Sequence, residues 1–147
     1  MTREDAGASL FCYGTLQHPD VMEALIGARR PARPGRLDGY ARSELRGEIY
    51  PGIVPAPDAS TPGLLYTQLA PEDLEILDVF EGPLYERVAI QVVVGDARAP
   101  AWVYAVHPRQ RARITGDAWS FERFCAEHAA AYVQSCRALR QQHLSRR

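Results

Sequence analysis

The sequence predicts an α+β fold: a small, mostly antiparallel, partly closed β-barrel with two short helices and one long C-terminal helix. Several short apolar runs are bounded by Gly and Pro, which is typical of strands joined by turns. Two short helical patterns interrupt these runs, and a longer helical pattern follows them. The chain has 147 residues, 46% hydrophobic and 24% charged. We therefore expect residues 1–147 to form one domain with a sizeable core.

The first predicted elements are a buried strand, a turn and a helix. Leu10 to Tyr13 is a short apolar run that ends at the turn Gly14-Thr15-Leu16. A helix with one apolar face opens at Pro19, and Gly27 closes it because glycine favours the left-handed C-terminal position of helices. The segment from Ala28 to Gly35 is rich in Arg and Pro, so we expect it to be a connection.

The next region is predicted to contain three strands and a loop. Leu37 to Leu45 and Glu48 to Val54 are candidate strands, the second interrupted by Pro51-Gly52. Such an interruption predicts an edge, a bulge or backbone that lines a cavity. Pro55 to Pro62 is expected to be a turn-rich surface loop, and Gly63 to Leu69 the third strand.

A second helix and a hairpin follow. The helix covers Pro71 to Phe80, with proline at its start and acidic residues in its first turn. Gly82-Pro83 is its stop signal. Tyr85 to Val94 alternates apolar residues on one face, and Ala101 to Val106 is its expected hairpin partner.

The chain is predicted to close with a loop and a long helix. The loop covers Arg109 to Asp117, and Ser120 is a suitable N-cap because its hydroxyl can accept a backbone N–H. One face of the helix carries residues at helical spacing: Phe121, Phe124, Cys125, His128, Tyr132, Cys136 and Leu139.

Composition excludes several classes of function. A net charge of −1 gives no electrostatic footprint for nucleic acid, although the tail from Arg137 to Arg147 is basic. No apolar run has membrane-spanning length, and Met1 to Asp5 is too charged for a secretion signal. We expect a cytoplasmic protein without membrane or nucleic-acid partners.

Cofactor and metal chemistry also lack sequence support. The chain contains no Lys, which excludes Schiff-base and pyridoxal-phosphate chemistry, and it has no GxGxxG motif. The histidines form no HxxxH or HxH pair, so we expect neither metal nor cofactor. Cys12, Cys125 and Cys136 show no paired spacing and are expected to be buried free thiols.

Glu81 stands at the end of the second helix, where a carboxylate is unfavourable. The helix dipole places about half a negative charge there, and Asp78 adds another. Both disfavour ionisation, so the pKa of Glu81 is expected to rise, as general acid–base chemistry requires. The alternative is a solvated Glu at a helix end.

A second candidate site is the turn Tyr13-Gly14-Thr15-Leu16. A strand that ends at Gly can expose successive backbone N–H groups, and these form an anion-binding concavity without any cationic side chain. The alternative is an ordinary turn.

These motifs together resemble a known family. Phe11 to Leu16 resembles the opening signature of the gamma-glutamylcyclotransferase-like superfamily, and Asp78 to Val88 is similar to its acidic helix-end motif. Tyr50 to Val54 and Gly63 to Tyr66 are similar to the segments between them. The similarity covers about Leu10 to Tyr104 and is closest to the avirulence-induced-gene-like branch.

The resemblance implies a small barrel with a cavity at one mouth. Glu81 would be the catalytic acid/base, Tyr13 would line the cavity, and Tyr85 would be a wall or hydrogen-bond donor. Arg87 is expected to pair structurally with an acid and not to contact the substrate. The backbone N–H groups that would hold a substrate α-carboxylate belong to Gly14, Thr15 and Leu16.

The implied activity is that of a cofactor-free γ-glutamyl cyclotransferase. The α-amine of a small γ-glutamyl amide attacks its own side-chain carbonyl, which releases 5-oxoproline and an amine. A non-catalytic module that binds small carboxylates or γ-glutamyl ligands is the main alternative. A weaker one is a cysteine-dependent hydrolase that uses Cys12 with His18 or His107.

Overall fold

The computed structural model describes residues 7–146. Within them, the strands are β1 Ala8–Cys12, β2 Ala32–Glu44, β3 Pro51–Leu69, β4 Tyr85–Val94 and β5 Ala97–Val106. The α-helices are α1 Pro19–Ile26, α2 Pro71–Glu81, α3 Phe121–Glu127 and α4 Ala129–Ser145. Short 3₁₀ turns are Thr15–Gln17, Gly82–Leu84 and Pro108–Arg113.

The five strands form one closed ring in the order β1-β3-β2-β4-β5. Most neighbours are antiparallel. The exception is the parallel pairing of β1 with β5, through Leu10 and Trp102, which closes the ring. The predicted α+β fold with a mostly antiparallel sheet is therefore confirmed, but the sheet is fully closed and not partly closed.

The two longest strands correct the predicted connections. β2 begins at Ala32, inside the segment that was expected to be a connection, and β3 runs unbroken through the expected loop Pro55 to Pro62. Between Pro51 and Pro62, β3 pairs with β2, whereas β1 joins it only from Leu64 to Leu69. A proline is tolerated in a strand where its missing N–H would face no partner.

The second helix starts and ends as its sequence signals predict. Pro71 occupies the first turn of α2, and Asp73 Oδ2 accepts the backbone N–H of Ala70 at 2.8 Å. Gly82 follows the helix with φ of +64°, a conformation that favours glycine. The helix therefore stops at Glu81, and the chain turns directly into β4.

The closing helix is broken and not continuous. Ser120 caps α3 as predicted, accepting the N–H of Arg123 at 3.1 Å. At His128, however, φ is −130°, and α4 begins at the next residue. Cys136, after the break, is buried, while Cys125, before it, is partly exposed. The expectation of three buried thiols is therefore wrong for Cys125.

The core has one part within the strand ring and another beneath the helices. Inside the ring, Phe11, Ile53, Leu65 and Val103 are almost fully buried. The second part joins β1 to the inner faces of α1, α2 and α4. The helices thus cover the region where β1 ends and α2 begins.

In the part of the chain that the structure describes, no helix is both long enough and apolar enough to cross a bilayer. Met1 to Asp5, on which the secretion-signal interpretation was based, lies outside the described residues.

Gly63 provides a test of the ring. A Cβ at Gly63 would lie 2.4 Å from the carbonyl oxygen of Cys12 and 2.8 Å from Phe11 Cζ. Backbone cannot move aside cheaply, so Gly63→Ala should lower the free energy of unfolding by about 2–3 kcal/mol. Gly39→Ala is the control: its φ is +86° but nothing lies near its Cβ, so only about 1 kcal/mol of backbone strain is expected. Urea unfolding measures the free energy of unfolding of both variants. Equal decreases for the two would contradict the close contact of Gly63 with β1.

Candidate active site

One cavity collects every residue that the sequence predicts for the site. Its volume is about 240 Å³, and it lies where β1, β3, α2 and α4 meet. The predicted residues that line it are Tyr13, Gly14, Thr15, Leu16, Glu81 and Tyr85. Residues some 65 positions apart in sequence are thus brought together by the closed ring. Pro51 also lines the cavity, as its position within a predicted strand suggested.

The turn after β1 is held from its outer side. The carbonyl oxygen of Tyr13 accepts Arg42 Nη1 at 2.8 Å and Gln17 Nε2 at 2.9 Å. The carbonyls of Gly14 and Thr15 accept the backbone N–H groups of Gln17 and His18, both at 3.1 Å. Each of these carbonyls is therefore fixed in direction.

This tethering orients the turn's own donors. In a trans peptide the C=O and the following N–H point in opposite directions. The N–H groups of Gly14, Thr15 and Leu16 therefore point away from the donors that bind the three carbonyls, which belong to Arg42, Gln17 and His18. None of the three donates to a backbone or side-chain acceptor within residues 7–146. The turn thus presents three oriented donors without a protein partner.

Glu81 has an environment that favours its neutral form. It is the last residue of α2 and lines the cavity, where the residue is partly buried. This burial, with a smaller contribution from the charge of Asp78, raises the pKa of Glu81 to about 8. The predicted direction is confirmed, but burial and not the helix end is the larger cause.

The nearby cation is committed to Asp78. Arg87 Nε and Nη2 donate to the two oxygens of Asp78 at 2.9 and 3.1 Å, and the Tyr104 hydroxyl donates to Oδ1 at 2.6 Å. The predicted pairing of Arg87 with an acid is confirmed. Within residues 7–146, Glu81 has no ion pair of its own.

Tyrosines form most of the polar wall. The Tyr13 hydroxyl donates to the Tyr104 carbonyl at 2.5 Å, and that of Tyr85 to the Pro51 carbonyl at 2.6 Å. Burial and the charge of Glu81 both raise the pKa values of these tyrosines, so their hydroxyls are neutral near pH 7. The cavity-lining tyrosines are Tyr13, Tyr50, Tyr85, Tyr104 and Tyr132.

Three of these tyrosines were not predicted from the sequence as site residues. Tyr132 shares helical spacing with core residues, and periodicity does not distinguish a core face from a cavity wall. Tyr104 lies within the predicted hairpin strand without a motif. Tyr50 precedes Pro51-Gly52, and that strand interruption was the signal that could have found it.

The structure does not favour the alternative of a cysteine-dependent hydrolase. Cys12 lines the cavity, but burial, with a smaller effect from Glu81, raises its pKa well above the ordinary value. A protonated thiol is a poor nucleophile. His18 and His107 accept the backbone N–H groups of Asp20 and Arg109, and neither lines the cavity. Within residues 7–146, no group of three or more His, Cys, Asp or Glu could hold a metal ion.

Comparisons with known proteins identify the family of this chain. A family model described as gamma-glutamyl cyclotransferase, AIG2-like, matches residues 10–121. Protein AIG2 C of Arabidopsis thaliana is 30% identical over 142 residues, which cover 95% of this chain and 86% of that protein. The chain belongs to the AIG2-like gamma-glutamyl cyclotransferase family.

Solved structures extend the comparison. A solution structure of an Arabidopsis thaliana protein has a TM-score of 0.69 and 29% identity, and the match covers 93% of this chain and 84% of that one. A yeast gamma-glutamyl cyclotransferase specific to glutathione has a TM-score of 0.61 at 14% identity, with coverage of 93% and 96%. At that identity the yeast protein shows a shared fold alone.

The family match does not include the whole cavity wall. The matched residues 10–121 contain the turn, Glu81, Tyr85 and Tyr104. Tyr132 and Leu139, which close the cavity from α4, lie beyond them. The part of the wall that α4 contributes therefore lies outside the segment that defines this AIG2-like family.

Glu81 should make stability depend on pH. A carboxyl whose pKa rises from 4.5 to about 8 on folding binds more protons in the folded state, so stability falls as pH rises from about 4.5 through 8. Glu81→Gln removes this loss. The free energy of unfolding of this variant should equal that of the wild type near pH 4 and exceed it by about 1–3 kcal/mol at pH 9. Urea unfolding across pH measures the difference; parallel curves for the two proteins would contradict the raised pKa.

Proposed function

We propose that this family member is a cofactor-free γ-glutamyl cyclotransferase that releases 5-oxoproline and an amine from small γ-glutamyl compounds. One observation carries the proposal: a single cavity contains Glu81 and the three N–H groups of the turn after β1, and none of these groups has an ion pair or hydrogen-bond acceptor among residues 7–146. These are the groups that the ring closure of a γ-glutamyl amide requires. The family membership and the fold shared with gamma-glutamyl cyclotransferases support enzymatic activity.

The turn supplies the binding of the substrate's α-carboxylate. Converging backbone N–H groups stabilise an anion without a cationic side chain, and among the described residues no Arg or His lines the cavity. Arg42 contributes from behind, because a cation hydrogen-bonded to the Tyr13 carbonyl polarises the peptide whose N–H belongs to Gly14. A carboxylate held there fixes one end of the substrate.

Glu81 supplies the proton transfers. In its ionised form the carboxylate takes a proton from the substrate's α-ammonium, and the freed amine attacks the γ-carbonyl carbon. The new C–N bond closes a five-membered ring, and Glu81 returns that proton to the departing nitrogen as the original amide bond breaks. The ring nitrogen then loses a second proton, which the released amine takes up to become an ammonium. A positioned acid/base contributes about 10²–10⁴-fold. A pKa near 8 suits both steps better than an ordinary Glu would.

The tethered nucleophile explains why little else is needed. Effective molarities of well-oriented intramolecular reactions reach about 10⁵ M or more. The cavity therefore has mainly to hold the γ-glutamyl part of the substrate in a bent conformation. Tyr13 and Tyr85 already donate to backbone carbonyls, so they act as rigid walls. Their neutral hydroxyls leave Glu81 as the proton carrier.

A ligand-binding module is the second candidate. A Glu81 that is mostly protonated at pH 7 can donate a hydrogen bond to a bound ligand without any turnover. Saturable binding of γ-glutamyl compounds with no 5-oxoproline would favour this function over the enzymatic one.

Substitution of Glu81 tests the enzymatic proposal. Glu81→Gln keeps the size of the side chain but cannot carry a proton, so kcat for 5-oxoproline release should fall at least about 10²-fold. Binding of 5-oxoproline, measured by calorimetry, should be retained. The substrate panel comprises γ-glutamyl amines, amino acids and peptides. It includes glutathione, because the yeast structure is described as specific to it.

Glu72→Gln is the matched control. Glu72 lies on the same helix, is exposed and lies outside the cavity, so its replacement should leave kcat unchanged. Wild-type rates retained by Glu81→Gln would remove Glu81 from the acid/base role. Folded wild-type protein that forms no 5-oxoproline from any panel member would contradict the enzymatic proposal.

Arg42 should affect binding more than chemistry. Arg42→Met keeps the side chain's length but frees the Tyr13 carbonyl from the cation, so the turn's donors lose orientation. We expect KM to rise about 10-fold, since a charged hydrogen bond stabilises by about 1.5–3 kcal/mol, with a smaller change in kcat. Arg109→Met, at an exposed position away from the cavity, is the control. An unchanged KM for Arg42→Met would show that the turn does not need this contact.

A further inference from the structure

A second cavity borders Glu81 and has no part in the chemistry described so far. Its volume is about 310 Å³, and it shares Glu81, Tyr85 and Tyr104 with the first cavity. Its own wall includes Arg87 and Trp102. The two cavities therefore adjoin along the residue that would transfer the proton.

We propose that this second cavity is the subsite for the departing amine, and that Arg87 selects amines that carry a carboxylate, as amino acids and peptides do. This assignment rests on the proposed cyclotransferase function. Glu81 has to reach the nitrogen of the scissile amide, so that bond lies beside its carboxyl. The turn holds the γ-glutamyl half in the first cavity, and the atoms beyond the nitrogen extend past Glu81.

Arg87 is held in place for such a role. Asp78 binds its Nε and Nη2 atoms, and the guanidinium lies 4.4 Å from the ring centroid of Trp102. These contacts fix both the direction and the plane of the group. Nη1 donates to no acceptor among residues 7–146, and the side chain is 25% exposed. A guanidinium edge therefore remains available to a ligand.

The charges around Arg87 permit an anion. The negative charge of Asp78 is balanced by Arg87 and by the Tyr104 hydroxyl, so the wall is close to neutral before the ligand binds. Guanidinium groups prefer carboxylates because two parallel N–H···O bonds match their geometry. A simple alkylamine would leave these donors without a partner.

The step balances without any further reactant. The α-amine nitrogen forms a bond to the γ-carbonyl carbon, and the bond from that carbon to the leaving nitrogen breaks. The proton removed from the α-ammonium passes through Glu81 to the leaving nitrogen. The attacking nitrogen loses a second proton once the ring has closed, and the released amine takes it up, so the products are neutral-lactam 5-oxoproline and an ammonium. The leaving group's carboxylate stays ionised throughout, so Arg87 contributes binding and not proton transfer.

Two matched substrates test the assignment. γ-Glutamyl-alanine and γ-glutamyl-isopropylamine differ only in a carboxylate that replaces a methyl group on the departing amine. We expect the wild type to favour the alanine compound in kcat/KM by about 10–100-fold. In Arg87→Gln the preference should fall to within about 3-fold of unity. Because both substrates are assayed on the same sample, this ratio does not depend on the fraction of folded enzyme or on the pKa of Glu81.

Arg36→Gln is the matched control. Arg36 also binds an aspartate, Asp38, through Nε and Nη2, but it lies on β2 outside both cavities. Its replacement should leave the substrate ratio unchanged.

The possible outcomes separate the two proposals. Turnover of both substrates with no preference, or with a preference that Arg87→Gln retains, would overturn the subsite and leave the cyclotransferase function intact. Release of 5-oxoproline from neither substrate by folded wild-type protein would overturn the cyclotransferase function, and the subsite with it.

Discussion

The site depends on the burial of one acidic group, Glu81, that has no counter-ion among residues 7–146. Arg87 and Tyr104 both bind Asp78, three residues before Glu81, so this cation is already paired. The surroundings of Glu81 favour its protonated form, and its pKa is about 8. Unpaired buried carboxyls are costly when ionised, and such costs persist where function requires them. A well-packed core in and around the ring can offset this cost.

The closed ring brings the two halves of the site together. β1 lies between β3 and β5, so the turn that follows it opens at the end of the ring. β4 starts directly after α2 and its short 3₁₀ turn, which fixes Glu81 and Tyr85 beside that opening. α4 then closes the cavity with Tyr132. The assembly of this cavity therefore depends on long-range strand pairing more than on any local motif.

Local signals predicted much of this structure, and together with the family resemblance they singled out residues that the fold brings together. Pro71, Gly82 and the acidic first turn defined α2, and alternation defined β4. All six candidate site residues line one cavity. Long-range strand pairing could not be predicted. The prolines of β3 suggested a loop, because the sequence does not reveal that β1 leaves one edge of β3 unpaired before Leu64. The break at His128 and the Tyr132 wall were missed because helical spacing alone describes a continuous core face. Burial of Glu81, the main cause of its pKa, is likewise a property of the assembled fold.

The most direct test is a pH titration of the Glu81 side-chain carboxyl carbon by ¹³C NMR, with Glu81→Gln used to assign its signal. A buried carboxyl that shares its surroundings with Asp78 should titrate with a midpoint near 8. A midpoint near 4.5, the ordinary value for glutamate, would show that Glu81 is ionised at neutral pH like any solvated acid. That result would contradict the claim that the fold keeps a proton at this position.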